Sequence, residues 1–411
     1  MSTTYKVQPG DTLETIARKQ YGTETAAKQI SDANPGLSAT LIPGTQIITP
    51  TAPGTAPDVI PQVSANNENE VAVIIEGQTF RFWENISITR AIDSMDLVEF
   101  TAPFDSEAEG FRATFQPFTF KPLSITVGGE ALFTGTLVAV DPKIENKRKV
   151  LSVGAYSLPG VLNDCTPPAS AFPLEFNNQR LKEIAASIAA PFGITTEFQA
   201  DQGDVFARVA CNPGKRALVF LIELAQQRNL IVSSSSIGHL IFLQSVEVGN
   251  PVALLSQGDI PVLSISPAFS SQDYYSHLTG IKPVVVGTEG SQFTVKNSRL
   301  QGVVRPITFN VTDTESGGVK TAVEAKSGRM FGNMASYSVK LSTWRDTTGS
   351  LWKPNTTIKL IAPEAMIYSN YEFVIRSIVF NRDSASETAT LNLVIPGSFS
   401  GKNPEVLPWE N

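Results

Sequence analysis

Residues suited to nucleophilic or metal chemistry are few in this chain of 411 residues, which contains two histidines and two cysteines. His239 follows a glycine in a predicted turn, His277 precedes a predicted strand, and neither lies in a pattern with the spacing of a zinc peptidase. The sequence contains no nucleophile elbow, Walker loop or Rossmann glycine signature. We therefore expect no metal site, no cofactor and ordinary structural roles for both histidines.

Pairs of carboxylates are the remaining candidates for catalysis, because a glycosidase needs two of them flanking the sugar bond. Glu183, Glu223 and Asp273 could serve, but the chain carries 39 acidic residues and nothing singles these out. Glu183 and Glu223 lie on predicted amphipathic helices, where a solvated face is the ordinary interpretation. The pattern favours a protein that is not an enzyme, and a wall hydrolase is kept as an alternative.

The cysteine content, the N-terminal sequence and the lengths of the apolar stretches bear on the cellular compartment of the protein. Cys165 and Cys211 are too few for a disulfide framework, and we expect both to be buried, reduced thiols. The N-terminus MSTTYKVQPGD lacks the charged-then-apolar pattern of a secretion signal. The longest apolar stretches are far below the roughly 20 residues of a membrane helix, so no spanning segment is expected.

Net charge excludes one class of partner. The chain carries a formal net charge of −7 and has no basic run. Sequence-independent binding of nucleic acid depends on clustered Lys and Arg that neutralise phosphates and release counterions. The composition therefore predicts no strong binding of nucleic acid.

Residues 5–50 contain a compact motif with a strand, two helices and a strand: YKVQPGDTLETIARKQYG, AAKQISDANPGL and LIPGTQIITP. Asp11 or Thr12 is expected to cap the first helix, and the Asn34-Pro35-Gly36 step should end the second. This βααβ unit closely resembles a LysM domain, through its G-D-T-L step and its closing N-P…L-x-P-G-T pattern.

LysM domains commonly bind N-acetylglucosamine chains in a shallow groove between two loops, and the resemblance implies which residues would form that groove here. They are Gly10, Asp11, Thr12 and Leu13 facing Asn34, Pro35, Leu41 and Ile42. The same residues could instead cap helices and fill a small core. LysM folds also act as protein–protein adaptors in phage tails, so a glycan-binding role and an assembly role both stay open.

The rest of the chain is predicted to be mainly β, interrupted by a small α+β region. Two strand openers, Phe120-Lys121-Pro122 and Trp352-Lys353-Pro354, are each followed by a second and a third apolar strand. Gly128-Gly129 between two alternating runs predicts a hairpin. Trp344, Trp352 and the strands near Phe373 are expected in a core or a subunit interface.

The predicted organisation has six parts. We predict a LysM domain (1–50), a Pro-rich linker (51–67), a first antiparallel β-barrel (68–164), an α+β domain (165–248), a second, related β-barrel with a helical excursion (249–397) and a C-terminal tail (398–411).

The body resembles the baseplate hub proteins of contractile-tailed phages of the Mu-like and P2-like group. The similar stretches include LEFNNQRLKEIAASIAAPFGI, FSSQDYYSHLTGI and WRDTTGSLWKPNTTIKLIAPEAMIYSNYEFVIRSIVF. The resemblance implies a homotrimer in the virion tail baseplate, assembled in the bacterial cytoplasm. Two barrels per subunit give such a trimer pseudo-six-fold symmetry, so that it can join a six-fold tail tube protein to a three-fold spike protein.

A fused LysM departs from the usual hub pattern. We expect a tethered clip to neighbouring baseplate components, with binding of peptidoglycan during penetration as the alternative.

Overall fold

The fold is described by a computed structural model that covers residues 2–21, 27–37, 41–50, 68–104, 107, 109–145, 148–247, 249–282, 292–311, 316–399, 401 and 403–410. The predicted linker, residues 51–67, lies outside this range. Two compact units are formed: residues 1–88, 97–157 and 381–386 make unit 1, and residues 89–96, 158–380 and 387–411 make unit 2. No helix in the described part of the chain is both long and apolar enough to cross a bilayer.

The front module of unit 1 has the predicted strand–helix–helix–strand order: β1 (Ser2–Lys6), α1 (Leu13–Tyr21), α2 (Ala27–Ala33) and β2 (Gln46–Pro50). The two strands pair antiparallel. Ile16, Ile30 and Ile47 are fully buried in its small core, because the helices present their apolar residues at helical spacing. Phe82 from the following segment of unit 1 packs against this core.

Thr12, and not Asp11, is the N-cap of α1. The Thr15 amide donates to the Thr12 hydroxyl at 3.3 Å, and the Thr12 amide donates to the Thr15 hydroxyl at 2.7 Å. This reciprocal pair has the form of a capping box, which satisfies two backbone N–H groups at the helix start.

Most of the other strands of unit 1 alternate buried and more exposed residues, although the last seven residues of the long β8 include no buried one. They are β3 (Val71–Ile75), β4 (Gln78–Phe80), β5 (Asn85–Ala91, which begins in this unit), β6 (Leu97–Pro103), β7 (Pro122–Val127), β8 (Glu130–Ile144) and β9 (Lys149–Ser157). The order of pairing is β4-β3-β7-β8-β9-β6. Val127 pairs with Glu130 across Gly128 and Gly129, whose φ angles of 57° and 86° suit glycine in a two-residue hairpin turn.

A short helix that the sequence analysis did not predict lies between β6 and β7: α3 (Glu109–Thr114). Its Phe111 packs against Phe104 and Phe115, with ring centroids 5.2 and 4.7 Å apart. Six residues are too few for a clear helical period, so the pattern was not visible in the sequence.

Unit 2 contains the predicted α+β region. Its helices are α4 (Val161–Asp164), α5 (Leu181–Ala189) and α6 (Ala217–Gln227), and its strands are β10 (Glu175–Gln179), β11 (Thr196–Phe198), β12 (Phe206–Ala210), β13 (Ile231–Ser234) and β14 (Leu240–Leu243). The predicted amphipathic helix that carries Glu183 is α5, and its apolar residues Leu181, Ile184 and Ile188 are all fully buried.

The remaining elements of unit 2 are β15 (Leu254–Ser256), β16 (Val262–Phe269), β17 (His277–Ile281), β18 (Gln292–Lys296), β19 (Pro306–Asn310), α7 (Ser316–Met334), β20 (Ala335–Leu341), β21 (Thr357–Ala362), β22 (Ile367–Asp383, which ends in unit 1) and β23 (Glu387–Val394). Strands β18-β17-β19 form a separate small sheet, against which α7 packs. The predicted helical excursion is therefore α7.

One strand order occurs in both units. In unit 1 the strand after the first opener, β7, pairs with the long β8; β8 pairs with β9, and β9 with the earlier strand β6. In unit 2 β21 pairs with the long β22; β22 pairs with β23, and β23 with the earlier strand β20. The neighbour on the other side differs, since β3 is antiparallel to β7 whereas β15 is parallel to β21.

The aromatic residue of the opener has a different environment in each copy. Trp352 is 1% exposed, and its indole N–H donates to the Thr343 carbonyl at 3.1 Å. Phe120 is 60% exposed and Phe118 is 92% exposed, and both have positive φ, at 49° and 63°. The prediction of a buried Trp352 is confirmed, while the first opener turns its aromatic residues outward.

The C-terminal segment is anchored to unit 2. Arg299 contacts Glu410 and donates to the carbonyls of Pro404 at 3.1 Å and Glu405 at 2.6 Å. Trp409 packs edge-on against Phe269, with centroids 5.3 Å apart. The Tyr371 hydroxyl donates to the Val406 carbonyl at 2.8 Å, and the Ser327 hydroxyl donates to the Asn403 side chain at 2.9 Å. A segment with little sequence pattern is thus held by hydrogen bonds from several side chains and by an aromatic contact.

Candidate binding site

Asp11, the charged residue of the predicted LysM groove, is occupied within its own module. Its carboxylate accepts from the Gln8 amide at 2.8 Å, the Tyr5 hydroxyl at 3.0 Å and Lys19 Nζ at 2.9 Å. The side chain is only 4% exposed. Burial alone would raise the pKa of Asp11, but Lys19, the Gln8 amide and Tyr5 outweigh it and hold the pKa below its usual value.

Asn34 on the opposite side of the groove is also engaged internally. Its amide nitrogen donates to the carbonyls of Ile30 at 2.7 Å and Ile48 at 2.8 Å, and its oxygen accepts from the Ile48 amide at 2.8 Å. These bonds join the end of α2 to β2. Asn34 therefore acts as a structural link, whatever else the groove does.

The other six groove residues divide into structural and exposed positions. Gly10 has a φ of 87°, which the turn before α1 requires. Thr12 caps α1, and Leu13 and Leu41 pack against the module core. Pro35 is exposed and Ile42 is 69% exposed, so these two side chains are the apolar part of the predicted groove that a ligand could reach.

The histidines and cysteines have no shared site. His239 Nδ1 lies 3.5 Å from Glu197 and His277 Nδ1 lies 3.0 Å from Ser276. Within the described residues no three His, Cys, Asp or Glu side chains are grouped as metal ligands. Both thiols are free, and Cys211 is buried, but the prediction of burial is wrong for Cys165, which is only half-buried.

Two of the three candidate carboxylates line one cavity. Glu183 instead caps α5, where it accepts from the Arg180 amide at 2.9 Å. Glu223 and Asp273 line a cavity of about 530 Å³ in unit 2, together with Lys326 and Arg329 of α7. Glu223 is paired with Lys215, and Asp273 accepts from the Tyr275 hydroxyl at 3.1 Å.

Sequence reasoning did not find this cavity as a site. Its lining comes from three stretches that are far apart in the chain, residues 223–227, 273–278 and 307–333. Lys326 and Arg329 are three residues apart on α7 and so share a helix face, which is a visible but common pattern. The packing of α7 against the loop before β17, where Tyr274 contacts Phe331, brings them to Asp273.

Comparison with known families identifies two segments of the chain. Residues 5–50 match the LysM domain, and residues 159–244 match the second domain of the gp44-like baseplate hub proteins. The curated baseplate hub protein gp44 of Escherichia phage Mu is 20% identical over 318 residues, which are 73% of this chain and 80% of that protein. Over about three quarters of its length this chain is a homologue of the Mu baseplate hub protein.

Solved structures of tail proteins share the fold of the hub homologue. The 43 kDa tail protein of prophage MuSo2 from Shewanella oneidensis is 24% identical and superposes with a TM-score of 0.69, over 80% of this chain and 99% of that one. A tail protein from Neisseria meningitidis MC58 is 17% identical, with a TM-score of 0.68, over 80% of this chain and 98% of that one. The predicted fold class, mainly β with α+β parts and an N-terminal LysM, is confirmed.

Proposed function

We propose that the chain is a non-enzymatic structural subunit of a contractile tail baseplate, and that three copies form a ring between a six-fold tail tube protein and a three-fold spike protein. The observation that carries this proposal is the recurrence of one strand order, β7-β8-β9-β6 and β21-β22-β23-β20, within a single chain. The predicted division into domains belongs to this proposal, with its β-barrels at 68–164 and 249–397.

The repeated strand order would allow a three-fold ring to match a six-fold partner. A trimer with one such module per subunit offers three contacts, whereas a six-fold ring needs six of similar form. Two modules per subunit provide six. The ring would then assemble in the bacterial cytoplasm and become part of the virion tail baseplate.

The exposed turn at Phe118 is our candidate for the contact between copies. An aromatic side chain in solvent at positive φ is unfavourable in an isolated subunit, and burial against a neighbouring copy would offset that cost. In the second module the opener residue Trp352, which corresponds to Phe120, is buried within its own chain.

The mass of the full chain in solution tests the ring. Light scattering should give three times the subunit mass, and Phe118→Ser should shift the equilibrium toward the monomer without changing the monomer's melting temperature. Thr119→Ser in the same turn is the control. A stable wild-type monomer at high concentration would overturn the proposal.

For the LysM domain we favour a clip to a neighbouring baseplate component over glycan binding. Its Asp11 and Asn34 are engaged within the module, which leaves Ile42 and Pro35 as a small apolar contact surface. A single shallow sugar site binds weakly, although a trimer would supply three copies.

A peptidoglycan pull-down separates the two roles. Asp11→Ala and Asn34→Ala would disrupt the module itself, so the informative change is Ile42→Asp, with Ile48→Asp on β2 as an exposed control outside the groove. The clip role predicts no retention by peptidoglycan and impaired joining of Ile42→Asp hubs to the baseplate. Strong retention that Ile42→Asp abolishes would favour peptidoglycan binding. A cleared band in zymography would favour the wall hydrolase.

A further inference from the structure

The cavity between α6, α7 and the small sheet of unit 2, called here the α7 cavity, is separate from the Phe118 turn and the LysM groove considered above. Its volume of about 530 Å³ lies within the range of small-ligand sites. Its lining combines cations, carboxamides and apolar side chains. Its lining residues include Lys326, Arg329, Asp273, Phe309, Met330 and Asn310.

Two cations of α7 face this cavity without a partner. Neither Lys326 nor Arg329 makes a hydrogen bond or an ion pair with any residue that the structure describes. Lys326 Nζ lies 4.3 Å from the centre of the Phe309 ring, which is an attractive contact but does not neutralise the charge. Partly buried cations are normally paired, so this arrangement is unusual for a purely structural surface.

The nearby carboxylates do not balance these charges. Asp93 accepts from Arg376 Nε at 3.0 Å and from Nη2 at 2.8 Å, and Glu223 is paired with Lys215. Asp273 is the one lining carboxylate that no cation of the described residues holds in an ion pair. Two free cations against one free carboxylate leave an excess of one positive charge.

The environment makes this excess costly. Burial, with the charge of Arg329, lowers the pKa of Lys326, and Asp273 opposes the change. Burial also lowers the pKa of Arg329, to about 10, so the guanidinium is still charged at neutral pH. An anion that enters the cavity would relieve the repulsion between the two cations.

We infer that the α7 cavity binds a monoanionic ligand, a carboxylate carried on an apolar body. The carboxylate would bridge Lys326 and Arg329, and Asn310 could donate to it. The apolar body would contact Phe309 and Met330, which line the same cavity. Asp273 would repel a second negative charge, so a monoanion fits better than a phosphate dianion. The carboxylate could belong to a free small acid or to the C-terminal residue of a polypeptide.

Calorimetric titration of the full chain with N-acetylphenylalanine tests the inference, with the neutral N-acetylphenylalanine amide as the matched ligand control. We expect the acid to bind and the amide not to bind. Arg329→Gln and Lys326→Gln should each weaken binding about tenfold or more, because each removes a charge-assisted hydrogen bond. Lys320→Gln, on the same helix but paired with Glu324 at 3.8 Å, should bind like the wild type.

A second pair of ligands distinguishes the sources of the carboxylate. Acetyl-Gly-Gly-Phe with a free C-terminus should bind at least as tightly as N-acetylphenylalanine if the natural ligand is a chain terminus, and clearly more weakly if it is a small acid. Arg329→Lys keeps the positive charge. If it retains more binding than Arg329→Gln, misfolding is not the cause of the weaker binding of Arg329→Gln. Equal binding of acid and amide, no binding of either acid, or equal weakening by Lys320→Gln would overturn the inference.

Discussion

The aspartates Asp11 and Asp96 of this hub homologue make hydrogen bonds to other residues of the same chain. Asp11 organises the start of the LysM module, and Asp96 is buried beside Arg90, whose Nε lies 3.1 Å from its carboxylate. Asp96 also accepts from the Ala91 amide at 3.3 Å. Hydrogen bonds within the chain are therefore enough to explain these Asp residues, without a bound ligand.

Asp96 gives a prediction about pH. Burial raises the pKa of Asp96 to about 6, against the opposing effect of Arg90. Because this folded-state pKa lies above the unfolded value of about 3.9, the native state binds the proton more tightly. Stability should therefore fall as pH rises from about 4 to about 6, by at most about 3 kcal/mol.

Denaturant unfolding at several pH values checks this expectation. Asp96→Asn should flatten the profile between those limits, whereas Asp164→Asn, at an exposed position, should keep the wild-type slope. An unchanged profile in Asp96→Asn would contradict the assignment.

At the scale of elements, the two openers show how similar segments can have different local structures. Each precedes a long second strand, β8 of 15 residues and β22 of 17 residues. Yet β21 begins three residues after Pro354, because Asn355 turns the chain at a φ of 64°, whereas β7 begins at Pro122 itself. The shift buries Trp352 and leaves Phe120 outside.

Trp352→Ala should destabilise unit 2 by about 3–5 kcal/mol, the usual cost of removing a fully buried large aromatic side chain. The matched change Phe120→Ala, at the corresponding position of the other opener, should cost little because Phe120 is largely exposed. Chemical denaturation of both variants measures the difference. Equal losses would mean that the two openers are equivalent after all.

The C-terminal segment provides a second prediction for an element. Burial by itself would raise the pKa of Glu410, but the Leu407 amide and Arg299 outweigh burial and hold this pKa below its usual value. Arg299→Ala would leave the carbonyls of Pro404 and Glu405 without their donor, so residues 403–410 should exchange amide hydrogens much faster. Lys296→Ala, an exposed position on β18, is the control. Unchanged protection in Arg299→Ala would show that the contacts of Trp409, Tyr371 and Ser327 hold the segment without Arg299.

At the scale of the whole molecule, the net charge of −7 bears on what can pass through a ring of such subunits. We expect the wall of the lumen to carry no large positive patch, since clustered cations would hold phosphates. Fluorescence anisotropy with duplex DNA at physiological ionic strength should show no binding. A measurable affinity that falls with salt would contradict this prediction.

The sequence by itself determined the order of the parts and most of the elements. The LysM motif, the strands with alternating burial, the Gly128-Gly129 turn and the apolar face of α5 were all visible, because each depends on local periodicity or on the freedom of glycine at positive φ. The repeated openers also indicated two related β modules.

Only the tertiary structure decided which residues are available for function. Asp11 and Asn34 match a LysM groove in sequence, but their hydrogen bonds to residues up to 14 positions away make them structural. The burial of Trp352, the exposure of Phe120 and the meeting of Lys326 and Arg329 with Asp273 depend on contacts between distant segments. No local pattern encodes such contacts, because they arise from the packing of whole elements against one another.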